Sequence, residues 1–377
     1  MNIVIAPDSY KGSLTSIDAA TIMKRAVSEV GGHNGVIKPM ADGGEGTVES
    51  LLVASPSGVR VPIQCTGPLG NKIETYYATI DKTTALIECA NIAGLVQVPR
   101  EKRNPDLTTS YGLGEVIIDA INNGCTSIII GLGGSATNDG GQGMLQALGM
   151  KAWDKSGIEI GPFGRDLLSM SKVSFKNLHS KLSKINIRVA CDVENPLSGQ
   201  EGASAIYGPQ KGATEQQILM YDEALDNFSN LVEKEIGRDD KQVPGAGAAG
   251  GLGFALLTLG AKLESGAKLI ADAMDLEQSI INADLVITGE GQSDEQTLFG
   301  KAPSYVASLA NKHQVPVILI SGSLGGNSDQ LREVFAGCFS IIDRPLSLQQ
   351  CIDQADELLY DKTKHVIHLI DSVSNFN

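Results

Sequence analysis

Ile3-Val4-Ile5-Ala6-Pro7-Asp8-Ser9-Tyr10-Lys11-Gly12 sets the terms for the rest of the chain. Its four leading apolar residues read as a buried strand, and the run breaks into a polar, glycine-ended loop. Thr15 and Asp18 then make a capping-box pattern. Ala19, Ile22, Met23, Ala26, Val27 and Val30 recur at helical spacing until Gly31-Gly32 stops the helix. A second strand is expected over 36–40 and a second helix over 44–53. This β-α-β-α order predicts a parallel sheet.

The pattern then changes. Residues 59–65, 73–80 and 84–89 read as three extended runs, with Gly67-Pro68 and Asp81-Lys82 at the turns. Connections this short suit antiparallel pairing and exclude crossover helices. Helices are expected near 109–122, 215–235 and 248–259, and strands over 127–130 and 187–190. Strand and helix alternate again at 284–288, 315–321 and 338–342. A last helix starts at Ser347, with Gln350 completing a capping box; its face runs Cys351, Ile352, Ala355, Leu358, Leu359, Val366, Ile367 and Ile370.

The expected fold is therefore α/β with two domains. Residues 1–62 and 284–377 form a parallel Rossmann- or flavodoxin-like domain, and 63–283 form an inserted mixed α/β domain. The active site is expected in the cleft between them.

Composition narrows the function. The chain has 377 residues, 42% hydrophobic and 20% charged, with a formal charge of −14. Such a charge repels a phosphate backbone or an anionic bilayer, so nucleic acid and membrane partners are set aside. No signal peptide or spanning segment is read, and the six cysteines form no C-x-x-C pair. A cytoplasmic protein with buried free thiols is expected. Whether it is a monomer or a homo-oligomer stays open.

Glycine is the outlier, at 43 residues, where average usage would give roughly 26. Small polar or acidic loops follow the apolar runs at 7–12, 41–46, 131–141, 192–196 and 289–294, and all of them except 192–196 carry glycine. In open α/β sheets ligands bind outside the carboxyl ends of the strands. Loop 131–141 is the richest, expected to enter a helix capped by Asn138 or Asp139. Glycine lets backbone approach a ligand closely, and helix N-termini favour phosphate.

Gly131-x-Gly133-x-x-Ala136 also matches a relaxed dinucleotide fingerprint, but no strand-terminal acid follows about 20 residues on. Gly245 to Gly250 fits the same pattern without a preceding strand. There is no G-x-x-x-x-G-K-[ST], and no H-R-D or D-F-G set. His365 and His368 lie three apart on the last helix without a third ligand nearby. Lys11, Lys211 and Lys301 each neighbour a glycine in or near such loops. Carboxylates for a base and Mg²⁺, with lysines on phosphates, are what phosphoryl transfer needs.

The ordered segments 6–14, 39–47, 133–141, 190–197, 208–213 and 288–294 resemble the bacterial glycerate kinase family over essentially the whole chain. Tyr10, where Phe is common, and Glu194 are mild departures. The resemblance implies ATP, Mg²⁺ and D-glycerate, a two-domain α/β fold, and phosphoglycerate as product, with 2-phosphoglycerate favoured over 3-phosphoglycerate.

Against that chemistry, Asp8 or Asp192 is the expected base, and Lys11 its catalytic companion. Asp42 and Asp192 are the expected metal ligands, with Glu290 a further candidate. Phosphate and substrate contacts are expected from Ser9, Gly43, Gly44, Gly133, Gly134, Ser135, Thr137, Asn138 and Lys211. Glu290, Asp294, Gln296 and Lys301 complete the set. Two alternatives remain open: a nicotinamide-dependent oxidoreductase, and a non-catalytic ligand sensor on the same fold.

Overall fold

The computed structural model describes residues 1–326 and 328–374. The chain divides into two compact units. Unit 1 holds Met1–Asp42, Glu49–Pro56 and the chain from Ala267 onward; unit 2 holds Gly43–Val48 and Ser57–Gly266.

Unit 1 is built on five parallel strands: Asn2–Ile5, Asn34–Ile37, Leu285–Thr288, Val317–Ser321 and Gly337–Ser340. Numbered along the chain, they lie side by side in the order 2-1-3-4-5. The third and fourth are buried along their whole length, as expected of parallel strands covered on both faces. This is the flavodoxin-like order, and it reverses between strands one and three. The loops at the carboxyl ends of Asn2–Ile5 and Leu285–Thr288 therefore sit at the switch point.

The first helix of unit 1, Ser16–Glu29, starts at the expected capping box. The Asp18 amide donates to Thr15 Oγ1 over 3.1 Å, and the Thr15 amide donates to Asp18 Oδ2 over 3.3 Å. Such a cap stabilises a helix by about 1 kcal/mol. Ala19, Ala20, Met23, Ala26 and Val27 are buried, most of them in a core shared with Ile3, Ile5, Ile287, Ile320, Leu359 and Ile367.

Unit 2 carries a six-stranded sheet. Lys262–Glu264, Asn186–Ala190, Ser127–Gly131 and Thr84–Glu88 are parallel neighbours, and Lys72–Thr79 and Val59–Thr66 extend it antiparallel. Val59–Thr66 is the edge strand, where Pro62 is tolerated because its missing N–H faces no partner. Helices Tyr111–Asn122 and Glu215–Ile236 pack their apolar faces into the unit 2 core.

Several boundaries differ from expectation, each for a local reason. The second strand ends at Ile37 rather than Met40; beyond it only alternate amides, Lys38 to Ile5 O and Met40 to Pro7 O, continue the pairing around Pro39. The helix expected from residue 44 begins at Thr47, because Gly46 has φ +88°. The helix after the 131–141 loop begins only at Gln142, since Gly140 and Gly141 are left-handed. Ala248–Thr258 contains three left-handed residues, Ala249, Gly250 and Gly251, and is regular only beyond them. The last helix is two helices, Leu348–Asp353 and Ala355–Ser374. The hairpin of Lys151–Asp154 with Met170–Ser174 has no counterpart in the sequence reading.

Candidate active site

At the switch point of unit 1, backbones run in contact. The Asp8 amide donates to Gly289 O over 2.8 Å. A Cβ on Gly289 would lie 1.8 Å from Ile320 O and 2.6 Å from the Tyr10 hydroxyl, which itself donates to Ile320 O. Only glycine permits this approach.

Asp8 is half-buried there, and its Oδ1 accepts the Ser9 amide over 2.6 Å. Burial pushes its carboxyl up to about 7, with the charges of Asp42 and Glu290 adding to the rise; the Ser9 amide and Lys11 pull the other way. A carboxylate that titrates near neutrality is matched to general-base work.

Glu290 is buried and fully occupied. Its Oε1 accepts from Ser293 Oγ over 3.0 Å and Thr297 Oγ1 over 2.6 Å, and its Oε2 lies 3.4 Å from Lys301 Nζ. Asp294 caps the short turn that follows by accepting the Gln296 amide over 2.9 Å. Lys11 and Asp42 are exposed, 3.9 Å apart. Thus Asp8, Ser9, Lys11, Asp42, Glu290, Asp294, Gln296 and Lys301 all belong to unit 1.

The remaining expected residues belong to unit 2, where glycines again allow contact. A Cβ on Gly43 would meet Ala190 Cβ at 2.6 Å; one on Gly131 would meet Gly43 O at 2.4 Å, and one on Gly133 would meet Gly44 Cα at 2.4 Å. Asp192 is exposed, and its Oδ1 accepts the Gly266 amide over 2.8 Å.

Loop 133–138 is held from beneath. Lys211, read from the sequence as a loop lysine for anions, is buried. Its Nζ donates to Ser135 Oγ over 2.9 Å and to Thr137 O over 2.6 Å. Thr137 Oγ1 and Asn138 Oδ1 are buried and make no hydrogen bond within the described residues, while Asn138 Nδ2 donates to Ser204 Oγ over 3.0 Å.

Two buried carboxylates shape these loops: Asp139, expected as a helix cap although the helix is entered from Gly141, and Glu88, which went unread in the sequence. Asp139 accepts the Ser110 amide and hydroxyl and the Gly141 and Gly143 amides, which fixes the turn into the next helix; burial raises its pKa. Glu88 accepts the Gly46 and Val48 amides, each over 3.1 Å, and so shapes the 43–48 turn. The signal for Glu88 was a charge closing the apolar run Ala85-Leu86-Ile87.

The dinucleotide reading loses its context. Its third position, Ala136, lies six residues before the helix at Gln142, whereas the fingerprint must open the helix. Among the described residues no group of three or more His, Cys, Asp or Glu could hold a metal ion, and no helix is long and apolar enough to cross a membrane.

The Asp8 carboxyl at the switch point of one sheet, and the glycine-rich loop after a parallel strand of the other, each lie at strand ends of the kind where α/β proteins bind small ligands. The chain belongs to the glycerate kinase family, whose model matches residues 3–371. It is 44% identical over 368 residues to a glycerate kinase of Halalkalibacterium halodurans, covering 97% of each chain. It is 48% identical over 327 residues to the glycerate 2-kinase of Escherichia coli, covering 86% of each. The crystal structure of a candidate glycerate kinase 2 from Salmonella typhimurium LT2 superposes with a TM-score of 0.89 at 42% identity, covering 100% of this chain and 99% of that one.

Proposed function

We propose that the protein transfers the γ-phosphoryl group of ATP to a hydroxyl of D-glycerate, with 2-phosphoglycerate favoured as product. The observation that carries the reading is Asp8, a carboxylate at the switch point pushed up to about 7. Asp8 accepts the hydroxyl proton as the glycerate oxygen bonds to the γ-phosphorus; the bond from phosphorus to the bridging oxygen breaks, and ADP leaves. Asp8 is preferred to Asp192 as base, because Asp8 is half-buried with its carboxyl pushed up to about 7, whereas Asp192 is exposed.

Lys11 neutralises substrate charge, helped by Ser9, Asp294 and Gln296 in placing the acceptor. Loop 133–138 receives phosphate, with Gly43 and Gly44 giving close backbone approach. Glu290 serves by holding Lys301 and by raising the basicity of Asp8.

Mg²⁺ fits a site of this kind. It seldom uses an all-protein cage and is usually bound by one or two carboxylates together with substrate phosphates. The exposed carboxylate of Asp42 offers hard oxygen ligands, and Asp192 is the alternative carboxylate proposed for this duty. Bound there, the ion would supply charge neutralisation on the phosphates. The preference for the C2 hydroxyl follows the similarity to the E. coli glycerate 2-kinase.

The test is ADP release coupled to D-glycerate and Mg²⁺, with phosphorus NMR of the product. Turnover with a C2 phosphate supports the proposal in full. A C3 phosphate overturns the regiochemistry, and no turnover from folded protein overturns the activity.

A further inference from the structure

Lys211 is a charge in an unusual place. Its side chain is 2% exposed, and among the described residues it forms no ion pair with a carboxylate. Burying an ammonium group this way is unfavourable, and an apolar side chain would fill the space without that penalty. What the ammonium does instead is specific. It joins the Ser135 hydroxyl and the Thr137 carbonyl, two residues apart on one loop, from a short turn 74 residues further along the chain.

The turn itself is pinned. Gly212 has φ +84°, and a Cβ there would lie 2.1 Å from Arg103 O, so the lysine is delivered from a backbone that cannot easily shift. Beside the carbonyl that Lys211 grips lie the unpartnered Thr137 Oγ1 and Asn138 Oδ1.

We propose that Lys211 is a positioning residue for nucleotide phosphates: it acts through Ser135 and Thr137, fixing loop 133–138 in its ligand-receiving shape and placing a buried positive charge beneath it. This rests on the reading of that loop as the phosphate site, and replaces direct contact between Lys211 and the ligand. Burial brings Lys211 down to about 8, against the pull of Asp139, which favours its charged form. Cys89, which opens the short helix Cys89–Ala93, also neighbours the ammonium, but burial pushes its thiol up to about 12 and leaves it neutral at pH 7–9. The charge is therefore present at pH 7 and lost as pH rises through about 8.

The experiment is calorimetric titration of the full chain with ADP and Mg²⁺ at pH 7 and pH 9, on wild type, Lys211→Met, Ser135→Ala and Gly134→Val, each checked by thermal melting. Wild type is expected to bind ADP at least ~5-fold more weakly at pH 9. Lys211→Met is expected to bind at least ~10-fold more weakly at pH 7, to lose the pH dependence, and to leave KM for D-glycerate within about 2-fold. Ser135→Ala, which deletes one acceptor and keeps the charge, is expected to weaken ADP about 3-fold and to retain the pH dependence.

A lysine that is merely structural would lower the melting temperature of Lys211→Met and leave ADP affinity and its pH dependence unchanged; that result overturns the proposal. Should Lys211→Met fail to fold, unchanged ADP affinity in Ser135→Ala overturns it. Gly134 has φ +73°, so valine there distorts the loop directly. If Gly134→Val binds ADP normally, the phosphate-loop reading itself fails. If it binds poorly while Lys211→Met binds normally, only the role of Lys211 fails.

Discussion

The amide of Asp8 donates to the carbonyl of Gly289 over 2.8 Å, tying the loop after the first strand of unit 1 to the loop after its neighbour, Leu285–Thr288. The tie holds the Asp8 carboxyl beside Glu290 and under cover from water, and both effects raise its pKa to about 7. In the base role proposed for it Asp8 must be ionised, so kcat/KM should rise with pH through about 7. Asp8→Asn should lower kcat by at least ~10². Glu290→Gln removes one of the charges that oppose ionisation, so the acid limb should move to lower pH. Steady-state pH profiles of the three proteins check both points; a limb that stays put in Glu290→Gln removes Glu290 from this role.

The same carboxyl sets a stability trend of opposite sense to activity. Folded Asp8 holds its proton up to about pH 7, against 3.8 for an ordinary aspartate. Between those values the folded state binds more protons than the unfolded state, so this group works against folding as pH rises. Asp8→Asn should therefore be more stable than wild type at pH 8, on the order of 1–3 kcal/mol, and nearly equal at pH 4. Urea unfolding at the two pH values measures the difference, and a variant less stable at pH 8 would contradict the burial argument.

The sequence was most informative where local chemistry and tertiary structure agree. Apolar runs such as Ile3-Val4-Ile5 became buried strands, and the Thr15/Asp18 box became a real cap. The acidic glycine loops were legible because each ends such a run. Lys211 was not, since nothing in Gly-Pro-Gln-Lys-Gly distinguishes a solvated lysine from one buried under a loop 74 residues away in sequence. Nor were the left-handed residues 249–251, where Gly250 packs on the backbone of Thr137 and Asn138. Contacts between distant segments decide both cases.

Glu88 offers a test of loop support. Its buried carboxylate receives the amides of Gly46 and Val48. Glu88→Ala strands both amides and should destabilise the protein by about 2–3 kcal/mol, with KM for substrate raised because Gly43 and Gly44 lose their support. Glu88→Gln keeps an acceptor and should lie between the two. Urea midpoints and steady-state KM values check this, and equal stability of all three would exclude the role.

Ala249 holds φ +54° and ψ 34°, a conformation that disfavours a Cβ by roughly 1–2 kcal/mol. Glycine relieves that strain but gives the unfolded chain more freedom. Ala249→Gly should therefore stabilise the protein by about 0.5–1 kcal/mol, seen as a higher melting temperature. A lower one would mean the methyl group packs better than its backbone suffers.

The pairing of Ile3 with Leu285 sets an order of events on the ribosome. The first strand is synthesised roughly 280 residues before the neighbour that completes its ladder, which at ~5–20 residues per second is a wait of about 15–55 s. All of unit 2 emerges within that interval and can close its own sheet. The Asn2–Ile5 strand meanwhile keeps an apolar edge without its Leu285–Thr288 partner. Nascent chains stalled before residue 285 should therefore carry an unpaired strand edge of the kind that invites aggregation and chaperone capture.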